Sequence, residues 1–177
     1  MANDTKVKFD ITNLNDLIKS LNKKYFVRVG IIGQKAKAEH EGNLTNAELG
    51  TFHEQPNNDG NKMPKRSFLE MPLKEKLKYG EKEKRNIKKQ AFKTIFLKKK
   101  PQLFFASLGS ACLEIINDAF ATNGFGSWQS WSEQYKKHRL KQVKSKKKRE
   151  IFFSEHNILT ATGKLRNSIT FKVMRNK

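Results

Sequence analysis

Acidic residues are scarce in this chain. Seventeen Asp and Glu stand against 37 Lys and Arg, a formal charge of +20 over 177 residues. A field of that sign favours polyanions, whether nucleic acid, acidic protein or anionic membrane. Its bland alternative is a set of solvated lysine faces. Cysteine is nearly absent. Cys112 alone excludes an internal disulfide framework and any zinc site built on several thiolates, and its apolar setting, SLGSACLEIINDAF, reads as a buried thiol. Long apolar runs are also missing: no window reads as a membrane span of about 18 to 20 residues, and MANDTKVKFDITNLNDL has no signal-peptide core. The expectation is a chain made and kept in a cytoplasm, with no membrane partner.

Catalytic and cofactor signatures are lacking as well. None of the histidines, His40, His53, His138 and His156, forms an HExxH pair or takes zinc spacing with Cys112. His40-Glu41 and His53-Glu54 place a base beside an acid, as a metal nuclease would use, yet sequence neighbours point to different helix faces. Gly163-Lys164 is not a phosphate loop, because Ile158 occupies the earlier glycine position and Leu165 the hydroxyl position. No catalytic, cofactor-binding or metal-binding residue is expected, and the chain reads as a non-enzyme.

What is present is a patterned α+β chain. Thirteen Phe and two Trp exceed what a disordered chain carries. Val7, Phe9 and Ile11 alternate as a short strand, and Asn13 opens a helix with Leu14, Leu17, Ile18 and Leu21 on one face. YFVRVGIIG is the clearest strand, ended by Gly33, and polar Gln34 to Asn43 reads as a mobile loop. Thr45 and Glu48 form a capping box, opening a helix that buries Leu49 and Phe52. QPNNDGN is a turn, after which Leu69, Leu73 and Leu77 mark a helix closed by Gly80. Residues 81–97 form an amphipathic helix on Ile87, Ala91 and Ile95, with Phe92 and Phe96 alongside. Pro101 begins the next, which carries Phe104, Leu108, Ala111, Ile115 and Ala119 as far as Asn123. GFGS is a hinge, and SWQSWSEQYKKHR reads as helical with Trp131 and Tyr135 on one side.

At the C-terminus Thr162 caps a short helix in which Leu165 and Ile169 share a side. Arg166 is left to pair with an acid, and Ile169, Phe171 and Val173 alternate as a strand. This strand returns to the N-terminal sheet. The expected architecture is one α+β domain over residues 1–177, with a small antiparallel sheet of N- and C-terminal strands, a helical middle segment at about 81–142 and a basic loop at about 144–150.

The basic run comprises Lys136, Lys137, Arg139, Lys141, Lys144, Lys146, Lys147, Lys148 and Arg149, preceded by Trp128, Trp131 and Tyr135. The lysines suit phosphates and the aromatics suit base stacking. The aromatics suit a helix core equally, in which case the lysines alone give salt-sensitive contact with DNA and no base readout.

Four pieces, in order, carry a family resemblance. ILTATGKLRNSI, with Thr162, Gly163, Leu165, Arg166, Ser168 and Ile169, resembles a signature of the tailed-phage virion morphogenesis proteins, also called tail completion proteins. Trp131 lies in a segment similar to that family's tryptophan and lysine segment. Glu48, His53 and Glu54 match its alanine-glutamate and histidine-glutamate helix, and Pro64, Arg66, Phe68 and Leu69 its Pro-x-Arg-x-Phe-Leu element. Gln55-Pro56 stands where the family has Phe-Gly, and Ser67 where it often has proline. The resemblance implies a structural protein of the head-tail junction, located in the virion neck or tail after assembly in the host cytoplasm. It implies self-association into a ring, six-fold to match a tail tube, beside tail-tube or tail-terminator and head-connector proteins, with double-stranded DNA passing. The alternative is a sequence-independent nucleic-acid-binding protein acting through its lysines.

Overall fold

A computed structural model describes Lys19 and residues 24–39, 43–55, 64–79, 81–96, 100–144, 157–160 and 162–176. The expected strand Val7–Ile11, its following helix apart from Lys19, His40, the turn after Gln55, Lys146 to Arg149 and His156 lie outside the described residues. The fold is α+β. Among the described residues it has a two-stranded antiparallel sheet, β1 (Tyr25–Ile31) and β2 (Ile169–Arg175), and seven α-helices.

β1 forms because YFVRVGI is β-branched and aromatic on alternate positions. It pairs with β2 from Tyr25 opposite Arg175 to Ile31 opposite Ile169. This register places Val27, Val29 and Ile31 on the same face as Val173, Phe171 and Ile169, so one face of the sheet is apolar. That face rests on α5 (Pro101–Ala121), which touches both strands. Pro101 supplies the first turn of α5, as its sequence predicts. Gly109 lets the helix approach: a Cβ there would lie 2.2 Å from the Phe171 ring.

Contrary to the sequence expectation, α5 is long and apolar enough, by length and composition, to cross a membrane. Packing gives the apolarity its reason. α5 buries Phe104 and Phe105 in one core cluster with Ala91 of α4 (Glu81–Phe96), and Ile116, Ala119 and Phe120 in a second with Phe68, Trp128, Leu165 and Ile169. Cys112 is buried on the same helix, and burial pushes its thiol pKa up.

Two segments depart from their predicted states. Gln34–Lys37 is not a loop but α1, started by Gly33 at φ 69°. Its Lys35 carbonyl accepts a bond from Asn46 Nδ2 at 3.1 Å, and Lys35 Nζ donates to the Asn167 carbonyl at 2.9 Å. Those partners are remote in sequence, so local polarity misleads. The helix expected across the tryptophans begins only at Glu133, as α6 (Glu133–Gln142), with Ser132 as its cap. The GFGS turn is packed rather than hinge-like, with Gly124 against the Trp128 ring.

Candidate functional site

The residues that carry the family resemblance come from four separated segments, and three of the segments meet at residues 66–68. α2 (Asn46–Glu54) starts with the predicted box: Thr45 Oγ1 accepts from the Glu48 amide at 3.2 Å, and a Glu48 carboxylate oxygen accepts from the Thr45 amide at 2.8 Å. These bonds hold the Glu48 carboxyl below its ordinary pKa. The helix does not fully bury Leu49 and Phe52 as expected. Its buried positions are Asn46, Gly50 and His53, because Gly50 faces Ile31 and Phe68 too closely for a side chain.

Glu54 ends α2 and opens the next helix. Its carboxylate accepts from the amides of Phe68 at 2.7 Å, Leu69 at 2.5 Å and Glu70 at 3.4 Å, and from Ser67 Oγ at 2.7 Å. The first turn of α3 (Glu70–Leu73) is thus capped by an anion from another helix, where the N-terminal amides and dipole favour it. α3 continues as a π-helical stretch, Lys74–Tyr79, in place of the regular α-helix that the leucine spacing predicts. Ser67 Oγ also accepts from the Met71 amide at 2.9 Å, a second cap that a proline at this position could not supply.

Arg66 and Phe68 point to different tasks. The Arg66 amide donates to the His53 carbonyl at 2.9 Å, while its side chain donates from Nε to the Gln129 carbonyl at 3.0 Å and from Nη2 to the Ser130 carbonyl at 3.2 Å. Burial pushes the guanidinium pKa down, with Tyr135 acting in the opposite direction. Phe68 is wholly buried, 5.5 Å from the Phe120 ring, and Phe120 meets Trp128 edge-on at 5.5 Å. Trp128 Nε1 donates to the Ser67 carbonyl at 3.0 Å. The segment 128–131 is therefore held by the Arg66 side chain and by the Ser67 carbonyl, and Trp131 packs half-buried against the same core.

The C-terminal signature forms the floor. Leu165 and Ile169 are both buried in that core, the first within α7 (Lys164–Ser168) and the second opening β2. Thr162 is not the cap. Gly163, at φ 67°, occupies that position because the turn is left-handed there, and Thr162 Oγ1 accepts only a 3.4 Å bond from the Lys164 amide. Arg166 meets an amide rather than an acid: its Nε donates to Asn117 Oδ1 on α5 at 2.9 Å. Ser168, buried, donates to the Leu165 carbonyl at 2.6 Å.

The predicted basic residues are elsewhere. α6 buries no side chain. Lys136 is tied to Glu133 at 2.7 Å, which holds the Glu133 carboxyl below its ordinary value, and Arg139 Nη1 donates to Gln142 at 2.9 Å. Lys137 and Lys141 are exposed four residues apart, so they share one face of α6, and Lys144, also exposed, lies beyond the end of the helix. Tyr135 is exposed, and Trp128 is a core residue that does not sit on a helix. The signal that sequence reasoning missed is the set of donors around Glu54, which depends on chain segments 13 to 16 residues away.

Chemically, this arrangement locks segments together. Glu54 and Arg66 spend their charged groups mainly on backbone amides and carbonyls, and Arg166 donates to the Asn117 side chain. No family model, curated protein or solved structure matches the chain in comparisons with known proteins.

Proposed function

We propose that this chain is a structural protein of a tailed-phage neck or tail terminus, which completes the tail or joins it to the head by assembling as a ring, without catalysis. The observation that carries the reading is the meeting of the family-like pieces in one core. The pieces are distant in sequence, yet the Glu54, Arg66 and Trp128 side chains bond to the backbone of a neighbouring piece, and Phe68, Trp128, Leu165 and Ile169 share one apolar core. A signature spread over four segments makes physical sense when its residues preserve one scaffold. Head-to-tail contacts between identical scaffolds generate a ring when the rotation closes.

The test is deletion of the reading frame from the phage or prophage that carries it, followed by electron microscopy of the lysate. Filled heads and unjoined or misproportioned tails are expected. Normal infectious particles would overturn the reading.

A second reading, sequence-independent nucleic-acid binding, is favoured by α6. A short helix with no buried residue and with Lys137 and Lys141 exposed on one face, followed by exposed Lys144, has little packing reason to be so basic. Binding to random DNA that falls steeply with salt is its expected outcome.

A further inference from the structure

α4 carries cations that its packing does not use. Residues three and four apart are neighbours on a helix, so Lys82, Arg85, Lys89 and Lys93 fall in one row. All four are exposed. The packed face lies opposite, with Ala91 buried and Ile87 half-buried against Phe104 and Phe105. The two acids of α4 do not interrupt the row: Glu81 receives Lys84 Nζ at 3.1 Å, and Glu83 is half-buried. Among the described residues none of the four cations forms an ion pair. Like charges at this spacing oppose helix formation, so a ligand-free fold gains nothing from the row.

We propose that this row binds the phosphate backbone of duplex nucleic acid, independently of sequence and separately from the lysines of α6. At a rise of about 1.5 Å per residue the row is about 16 Å long with a cation every 4.5 to 6 Å. One strand of a duplex presents a phosphate about every 3.4 Å of axis, so four of them are within reach of a helix laid along the groove edge. An anionic membrane fits less well. Surface helices bury an apolar face in lipid, and the apolar face of α4 is already occupied by the core, leaving only Phe92 exposed among its described large apolar side chains. The inference rests on the charge and packing of α4 and does not depend on the junction reading, whose test is the assembly of particles.

The experiment is fluorescence anisotropy with a short random-sequence duplex and the full chain, between about 50 and 200 mM salt. Three variants are compared with the parent: Lys82, Arg85, Lys89 and Lys93 changed to Gln; Lys82, Lys89 and Lys93 changed to Arg; and Lys136, Lys137, Arg139 and Lys141 changed to Gln. Thermal melts establish that each is folded; the four α4 positions are exposed on one helix face and tolerate the change. The expected result is that the α4 glutamine variant flattens the slope of log K against log salt by about 3 to 4, at about 0.9 per lost phosphate contact, and weakens binding more than tenfold at low salt. The arginine variant keeps the parent slope. An unchanged slope in the α4 glutamine variant overturns the proposal, as does a loss seen only in the α6 variant. Parent protein that ignores the duplex but binds anionic vesicles or polyglutamate through the row overturns it too.

Discussion

Replacing Glu54 by alanine should destabilise the protein more than any other single loss of a charged side chain in the core around Phe68. The side chain is the acceptor for three amides and a hydroxyl: the Phe68, Leu69 and Ser67 bonds are short, at 2.7, 2.5 and 2.7 Å, and the Glu70 bond is long, at 3.4 Å. Phe68 is wholly buried, and Leu69 packs half-buried beside it, so water is a poor substitute acceptor. A buried donor left unsatisfied costs about 1 to 3 kcal/mol. Two such amides, with the buried Ser67 hydroxyl left to rotate to another acceptor and the long bond to exposed Glu70 replaced by solvent, give a loss of about 3 to 5 kcal/mol. For a chain of this length that is a fall of roughly 6 to 20 °C in melting temperature. Glu54→Gln, which keeps one oxygen acceptor in place, should lose roughly half as much. The exposed Glu75→Gln should stay within about 0.5 kcal/mol of the parent. Urea and thermal unfolding followed by circular dichroism measure all three. If Glu54→Ala lies within about 1 kcal/mol of the parent, the carboxylate is not the keystone of this cap and the reasoning is refuted.

Three further outcomes follow from the packing. Leu165→Asp places a charge in the core beneath α7, where Leu165 is 3% exposed, and should cost several kcal/mol, about the range of an unpaired buried ion. An unchanged melting temperature would remove Leu165 as an anchor. Gly109→Ala drives a methyl into the Phe171 ring and should cost about 1 to 3 kcal/mol, with Phe171→Leu in the same chain recovering part of it; strict additivity of the two would argue against the contact. The capping box should melt in acid. Because the folded Glu48 pKa is lowered, its contribution is present above the ordinary value of 4.5 and is lost as pH falls through the lowered one. NMR titration of the Glu48 carboxyl should find its midpoint below 4.5, moving only part of the way back in Thr45→Ala, which removes the hydroxyl bond and keeps the larger amide one; equal midpoints in the two proteins would rule out the hydroxyl as a contributor.

Local pattern determined much of this molecule. The β-branched run at Tyr25–Ile31, the Thr45 and Glu48 box, Pro101 at the start of α5 and the alternating strand at Ile169–Arg175 were all legible, because each depends on residues within one or two turns or on a period of two. The depth of Leu165 and Ile169 was legible for the same reason. What depended on remote partners was not. Gln34–Lys37 looks like a loop until Asn46 and Asn167 bond to it, and Trp128 looks like a helix residue until the Ser67 carbonyl takes its indole N–H. Arg166 found Asn117 rather than an acid because α5 happens to present an amide there.

The same division governs function. The excess of 20 positive charges and the order of the family-like pieces belong to the sequence, since both are counted along the chain. Only the tertiary structure decided that Glu54, Arg66 and Trp128 would spend their polar side-chain groups on the backbone of other segments, and that Lys82, Arg85, Lys89 and Lys93 would be left facing solvent. Charge can be counted along the chain, but which charges are buried, satisfied or left over is settled only when distant segments pack.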